Sequence, residues 1–193
     1  MFGTGRTCTD GQGAAYLEEK QKNRGQNVEE EQKLPYPTID ACKDARSAKL
    51  IAPFYAGKRG ELASVSQCLY QSIRLSAKQK EVGAEILERI AESDALHFQL
   101  LGKALLALGV DPILSVAPPQ KKKWFDTSAV STVQEPCAMV LETLMFKRQT
   151  AQSYTAAASK VQNEEVQHLL LRIALDEKNH ATALSELYKT LCK

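Results

Sequence analysis

From about residue 54 onward, apolar side chains recur at three- and four-residue steps with few clusters of β-branched residues, the period of amphipathic helices. Four long segments carry this pattern, at about 54–76, 78–108, 134–160 and 163–191. Short joins near 77 and at 161–163 make the first and second segments antiparallel neighbours, and likewise the third and fourth. The stretch from Gly109 to about Glu135, with Asp111-Pro112, Pro118-Pro119, a Lys121-Lys122-Lys123 run and Trp124, is too long for a turn and must cross from one pair to the other. The pattern therefore predicts an all-α four-helix bundle with one long crossover between its second and third helices. Within that crossover the lysine run reads as a solvated loop, and Trp124 as an anchor of the loop on the bundle. Upstream, Pro35-Tyr36-Pro37 marks a turn, Thr38 or Asp40 is placed to cap a short helix, and Pro53 should end or kink it. Residues 1–34, rich in Gly, Gln, Asn, Glu and Lys, have few apolar side chains to offset the entropy of ordering. They read as a flexible tail ahead of a bundle domain at 35–193.

Two of the helices interrupt their apolar stripe in the same way. In the second, the inward row runs Leu87, Ile90, Asp94, His97, Leu101; in the fourth it runs Leu170, Ile173, Glu177, His180, Leu184, Leu187. Each interruption is a carboxylate-x-x-His pair, and i,i+3 spacing sets both groups on one helix face about a turn apart. Asp94 to Glu177 and His97 to His180 are both 83 residues, so one helix pair repeats as the other in a pseudo-twofold bundle. The corresponding row of the first helix is Glu61, Val65, Cys68, Ser72, and that of the third is Val140, Leu144, Lys147, Ala151, Tyr154, Ala158. Glu61 and Lys147 are the charged members of those rows. Any one such residue is ordinarily half exposed or satisfied by a neighbour. Two of the three histidines on a core stripe, each with a carboxylate three residues before it, point instead to a shared site, because unpaired buried charge costs several kcal/mol per ion. His168, about 120° around the helix from His180, reads as a surface residue.

Gly60-Glu61-Leu62 with Tyr70-Gln71, Asp94-Ala-Leu-His97 leading to Leu108-Gly109-x-Asp111-Pro112, and Arg172-Ile-x-x-Asp176-Glu177-x-x-His180 resemble the ferritin-like superfamily, in particular small bacterial rubrerythrin-like and manganese-catalase-like proteins. The resemblance covers about residues 35–190 and implies a ferritin-like four-helix bundle holding two iron or manganese ions. On that likeness Glu61 is a terminal ligand beside His97, Asp94 and Glu177 bridge, His180 ligates the second ion, and Asp176 orients the histidine of the opposite pair. Lys147 and Tyr154 are the candidate catalytic groups. Two positions depart from the family pattern: Asp94 stands in place of Glu, shorter by one methylene, and Lys147 falls where the third helix should supply a carboxylate. Three carboxylates and one ammonium sum to −3 + 1 = −2, a charge that one divalent ion balances. The Lys147 ammonium is therefore expected to take the electrostatic place of the second metal, leaving a single ion on Glu61, His97 and oxygens of Asp94 or Glu177, with His180 free or hydrogen-bonded. Glu142, about 140° around the helix from Lys147, cannot face the same centre.

Composition narrows the partners. Lys and Arg number 25 against 23 Asp and Glu, a net charge of +2, so no global basic surface for nucleic acid is expected. No apolar run approaches the roughly 20 residues of a membrane span, and no apolar stretch follows a basic start, which leaves the cytoplasm as the expected compartment. The five cysteines (Cys8, Cys42, Cys68, Cys137, Cys192) are odd in number with no C-x-x-C pair, and are expected to be scattered thiols rather than a disulfide framework, a zinc knuckle or a rubredoxin-type iron centre. Mixed carboxylate and imidazole ligands suit iron or manganese. The implied activity is a non-haem oxidoreductase acting on peroxide or oxygen, fed by a separate electron donor. The alternatives are a metal-sequestering protein without turnover and a metal-free structural or spore-coat-type bundle. The apolar run Cys137–Phe146 makes a homodimer an expectation, unless it is covered by the crossover.

Overall fold

The computed structural model of the protein describes residues 35–115 and 124–193; the expected tail, Pro118-Pro119 and the lysine run lie outside them. The described residues form α1 (Ala45–Ala56), α2 (Glu61–Ser76), α3 (Glu81–Ala107), a 3₁₀ turn (Thr127–Ala129), α4 (Pro136–Ala158) and α5 (Glu164–Leu191), with no strand among them. Helices α2–α5 are the bundle. α2 packs along α3 and α4 along α5, and the long crossover follows α3. The expected architecture is present.

The first long helix starts at Glu61 rather than near 54, because residues 54–56 complete the short helix before it. Asp44, not Thr38 or Asp40, caps α1, its carboxylate accepting from Arg46 and Ser47 N–H groups at 3.1 and 3.0 Å. Thr38 and Asp40 are exposed on an extended segment. Pro53 lies inside α1, which runs one more turn to Ala56 before the chain turns sharply at Gly57–Gly60. That turn is tight enough to demand a glycine: a Cβ on Gly60 would stand 2.6 Å from the Phe54 carbonyl oxygen. Gly109, at φ +80°, closes α3 in the left-handed conformation that a side chain disfavours.

The crossover is fastened to α2 by Gln67, which accepts from Ser131 N–H at 2.5 Å and donates to the Ser131 carbonyl at 3.2 Å. Trp124 does not anchor it. Its backbone pairs with Ser115 in an isolated bridge, and the residue is 58% exposed. Within the expected apolar run of α4, Met139, Val140 and Leu144 are buried in the bundle core, while Leu141 and Met145 remain exposed.

The cysteine expectation is overturned. Cys137 and Cys192 form a disulfide with Cα atoms 5.7 Å apart, and Cys42 is also disulfide-bonded; among the described residues only Cys68 is a free thiol, and it is buried. The antiparallel α4–α5 pairing brings the first turn of α4 to the end of α5, so 55 residues of sequence separation conceal adjacency in space. An odd count excludes full pairing, not pairing of the others.

Two apolar clusters fill the bundle. One is built on Ile51, Tyr55, Leu101, Leu105, Leu170 and Ile173, the other on Leu75, Leu87, Ile90, Met139, Val140, Leu184 and Leu187. The interrupting polar side chains are buried alongside them. No helix among the described residues is long and apolar enough to cross a membrane.

Candidate metal centre

Each helix of the bundle delivers its side chain through its own local geometry. Glu61 is the first residue of α2, placed by the turn at Gly60, and its acidic group stands at the positive end of the helix dipole. α3 supplies Asp94 and His97 one turn apart, α4 supplies Lys147 and Tyr154, and α5 supplies Asp176, Glu177 and His180. Asp94, His97, Lys147 and Glu177 are 0% exposed, Glu61 is 2% exposed, and the His180 side chain is 13% exposed.

The groups converge. Glu61, Asp94, His97 and Glu177 each offer an atom within 4.8 Å of the others. His97 Nδ1 lies 3.8 Å from Glu61 Oε2, 3.8 Å from Asp94 Oδ1 and 3.7 Å from Glu177 Oε1. His180 Nδ1 enters the same space, 3.5 Å from Asp94 Oδ1 and 3.3 Å from Glu177 Oε1. Ligands on opposite sides of a small divalent ion, each about 2.1 Å from it, stand about 4.2 Å apart, so the spacing fits one ion. Asp94 Oδ1, His97 Nδ1, Glu177 Oε2 and His180 Nδ1 are all buried and have no hydrogen-bond partner. One such orphan costs about 1–3 kcal/mol and more when charged. Asp94 Oδ1 lies 3.8 Å from His97 Nδ1 and 3.5 Å from His180 Nδ1, so these three at least are gathered in one place, a donor set that a cation relieves.

Lys147 fills the other side. Its Nζ donates to Asp94 Oδ2 at 2.6 Å and to Glu177 Oε1 at 3.1 Å, and Ser64 Oγ donates to the same Asp94 oxygen at 2.6 Å. Burial works against this ammonium, yet Asp94 and Glu177 outweigh it and hold its pKa above the ordinary lysine value. Burial likewise works against the Glu177 carboxylate, and Lys147 outweighs it, keeping that carboxyl below its usual range. For His97, burial favours the neutral ring, but the hydrogen bond to Asp176 and the neighbouring Glu61 carboxylate carry it up to about 10. At 3.8 Å the Glu61 contribution is electrostatic rather than a hydrogen bond. Without an ion, the cluster therefore holds an extra proton at His97.

Asp176 Oδ2 lies 3.2 Å from His97 Nε2. Burial raises its pKa, but bonds from His97, Arg172 and Tyr36 bring it down to about 2. Tyr154 is fully buried, stacks on Phe54 with ring centroids 4.2 Å apart, and donates its hydroxyl to Glu61 Oε1. Burial and Glu61 together hold the Tyr154 phenol well above its ordinary value, so it stays a donor. Glu142 is exposed, as its helix angle requires. His168 is half-buried rather than on the surface and lies outside the converging group. Tyr36 and Ser64 were not legible as site residues. Ser64, three residues after Glu61, lies beside that inward row and on the same helix face; Tyr36 precedes the bundle, 140 residues from Asp176.

The rubrerythrin family model matches residues 60–188, two thirds of the chain and every helix of the bundle. The chain belongs to the rubrerythrin family. No curated protein sequence matches this rubrerythrin-family chain significantly. Among solved structures it is similar to KatB, a manganese catalase from Anabaena PCC7120, in two crystal structures, one of them described as wild type. In each the TM-score is 0.72 at 17% identity, covering 83% of this chain and 80% of KatB. That similarity shows a shared ferritin-like fold. With the buried carboxylate and imidazole cluster, the family membership makes this a ferritin-like metal-binding protein with a non-haem site.

Proposed function

We propose that this rubrerythrin-family protein holds one iron or manganese ion on Glu61, Asp94, His97, Glu177 and His180 and acts as an oxidoreductase on peroxide or oxygen. The observation that carries the reading is the convergence of three buried, unpartnered atoms, Asp94 Oδ1, His97 Nδ1 and His180 Nδ1, beside a lysine paired with Asp94 and Glu177. A bound iron or manganese ion would supply one-electron chemistry toward a small oxidant.

The chain's residues set the conditions for that chemistry. Glu61, Asp94 and Glu177 bring −3, and Lys147 returns +1, so one divalent ion leaves a neutral interior. Lys147 and Ser64 commit Asp94 Oδ2, leaving Oδ1 for the ion. Tyr154 holds one Glu61 oxygen and frees the other. His180 is the partly exposed member of the set and marks the side from which a small oxidant approaches. Electrons come, in this reading, from a separate donor.

A metal-free structural role is the second reading, and the Lys147 ion pairs with Asp94 and Glu177 are the observation that favours it. Elemental analysis of protein purified without chelator separates the two: one iron or manganese per chain supports the proposal, and none supports the structural role. Peroxide turnover compared with Glu61→Ala then separates an enzyme from a sequestering protein. The Cys137–Cys192 disulfide favours an oxidising environment over the cytoplasm expected from the N-terminus.

A further inference from the structure

Tyr36 lies outside the 60–188 span that matches the rubrerythrin family, yet its hydroxyl reaches the proposed centre. The segment carrying it is built to stay in place. Pro37 keeps Tyr36 out of helical conformation. Beyond it, Asp40 N–H donates to Glu165 Oε2 at 2.8 Å, and the Cys42 and Asp44 N–H groups donate to the Ala107 and Leu108 carbonyls at 3.0 and 3.2 Å. The Tyr36 ring packs on the apolar cluster around Ile51 and Leu170, with the Arg172 guanidinium 4.7 Å over its centroid. Its hydroxyl donates to Asp176 Oδ2 at 2.6 Å and stands 3.2 Å from His97 Nε2, which is equally 3.2 Å from that same Asp176 oxygen.

We propose that Tyr36 is a positioning residue for His97: with Asp176 it fixes the imidazole so that Nε2 carries its proton outward and Nδ1 aims at the ion. A carboxylate alone would leave the ring free to rock about one contact. Here Arg172 holds Asp176 Oδ1, Tyr36 holds Oδ2, and the Tyr36 oxygen adds a second acceptor, so the Nε2–H lies between two fixed oxygens. A histidine whose outer N–H is bound in this way keeps that proton on Nε2 whether or not Nδ1 is also protonated, so an ion that displaces the Nδ1 proton meets a ring already aimed at it. The consequence for metal rests on the metal-binding reading above; the orientation of the ring does not.

Tyr36→Phe tests it, because the ring and its stack on Arg172 stay while the hydroxyl goes. Full-length wild type and variant are compared by circular dichroism, by Mn(II) affinity from chelator competition, and by nitrogen NMR of histidine side chains in the metal-free proteins at one fixed pH. The expected result is an unchanged helical spectrum, Mn(II) binding weakened about 10–100-fold, and loss of an exchange-protected His97 Nε2–H resonance seen in the wild type. An unchanged resonance overturns the proposal, as does unchanged affinity beside a wild type that binds Mn(II). A wild type that binds no Mn(II) but shows the Tyr36-dependent resonance overturns the metal reading and leaves the positioning role supported. Should the variant lose its helical spectrum, Arg172→Lys, which removes the guanidinium holding Asp176 Oδ1, is read by the same resonance with the same two outcomes.

Discussion

Replacing Lys147 by methionine removes one charge from a fully buried layer and little else. The methionine matches the aliphatic stem, so the cavity left is small, but Asp94 and Glu177 lose ion-pair contacts of 2.6 and 3.1 Å. The metal-free cluster then holds three carboxylates with only His97 to balance them. Removing one partner of a buried pair typically costs about 3–5 kcal/mol, because the other is left charged and dry. At about 2–4 °C per kcal/mol for a chain of this size, the melting temperature of the chelator-treated variant should fall by about 6–20 °C. The sign of the pH dependence follows from Glu177. Lys147 holds its carboxyl below the ordinary value of 4.5, so the stabilisation is present above that value and is lost as pH falls through the depressed one. The gap between wild type and variant should therefore be widest near neutral pH and should close in acid. Differential scanning calorimetry at pH 7 and at pH 3–4 reads both quantities. A variant melting within 2 °C of wild type at pH 7, or a gap that does not change with pH, would refute the claim that Lys147 balances ionised carboxylates.

Other perturbations report on other parts of the layer. In the metal-free protein the His97 contribution is fully present below about 6.5 and is lost as pH rises towards about 10, so stability measured by urea denaturation should decline over that window. Asp176 acts at the other end: its contribution is present above 3.8 and is lost as pH falls towards about 2, which Asp176→Asn should remove from the acid limb. Tyr154→Phe leaves a Glu61 oxygen buried without its donor and should cost about 1–3 kcal/mol in the same assay; no loss would place that oxygen in contact with water. Cys137→Ser opens a loop of 55 residues of separation and should cost about 2–4 kcal/mol under oxidising conditions, with no effect once both proteins are reduced.

What could be read from the chain alone follows the helical period. Asp94, His97, Glu177 and His180 were visible because each broke an apolar row whose spacing put them on an inward face, and Lys147 because the same rows run through its helix. Helical phase also removed Glu142. It says nothing about contacts outside the helices, which is why Tyr36 escaped: it precedes α1 on an extended segment with no periodic partner, and Asp176 is 140 residues away. The Cys137–Cys192 bridge failed for a different reason. Antiparallel pairing brings the start of one helix to the end of the next, but two cysteines 55 residues apart carry no local signal of that meeting. Trp124 departs from its expected place because apolar character alone does not say whether a loop residue contributes its ring or only its backbone to an anchor.

Metal stoichiometry of wild type and Lys147→Glu, loaded with Mn(II) or Fe(II) and freed of loosely bound ion, tests the charge argument most directly. Wild type carries three carboxylates and one ammonium, −3 + 1 = −2, and should hold one ion per chain; the variant, at −4, should hold two. A wild type with two ions, or a variant that stays at one or binds none, would contradict the account in which a lysine stands for the missing metal.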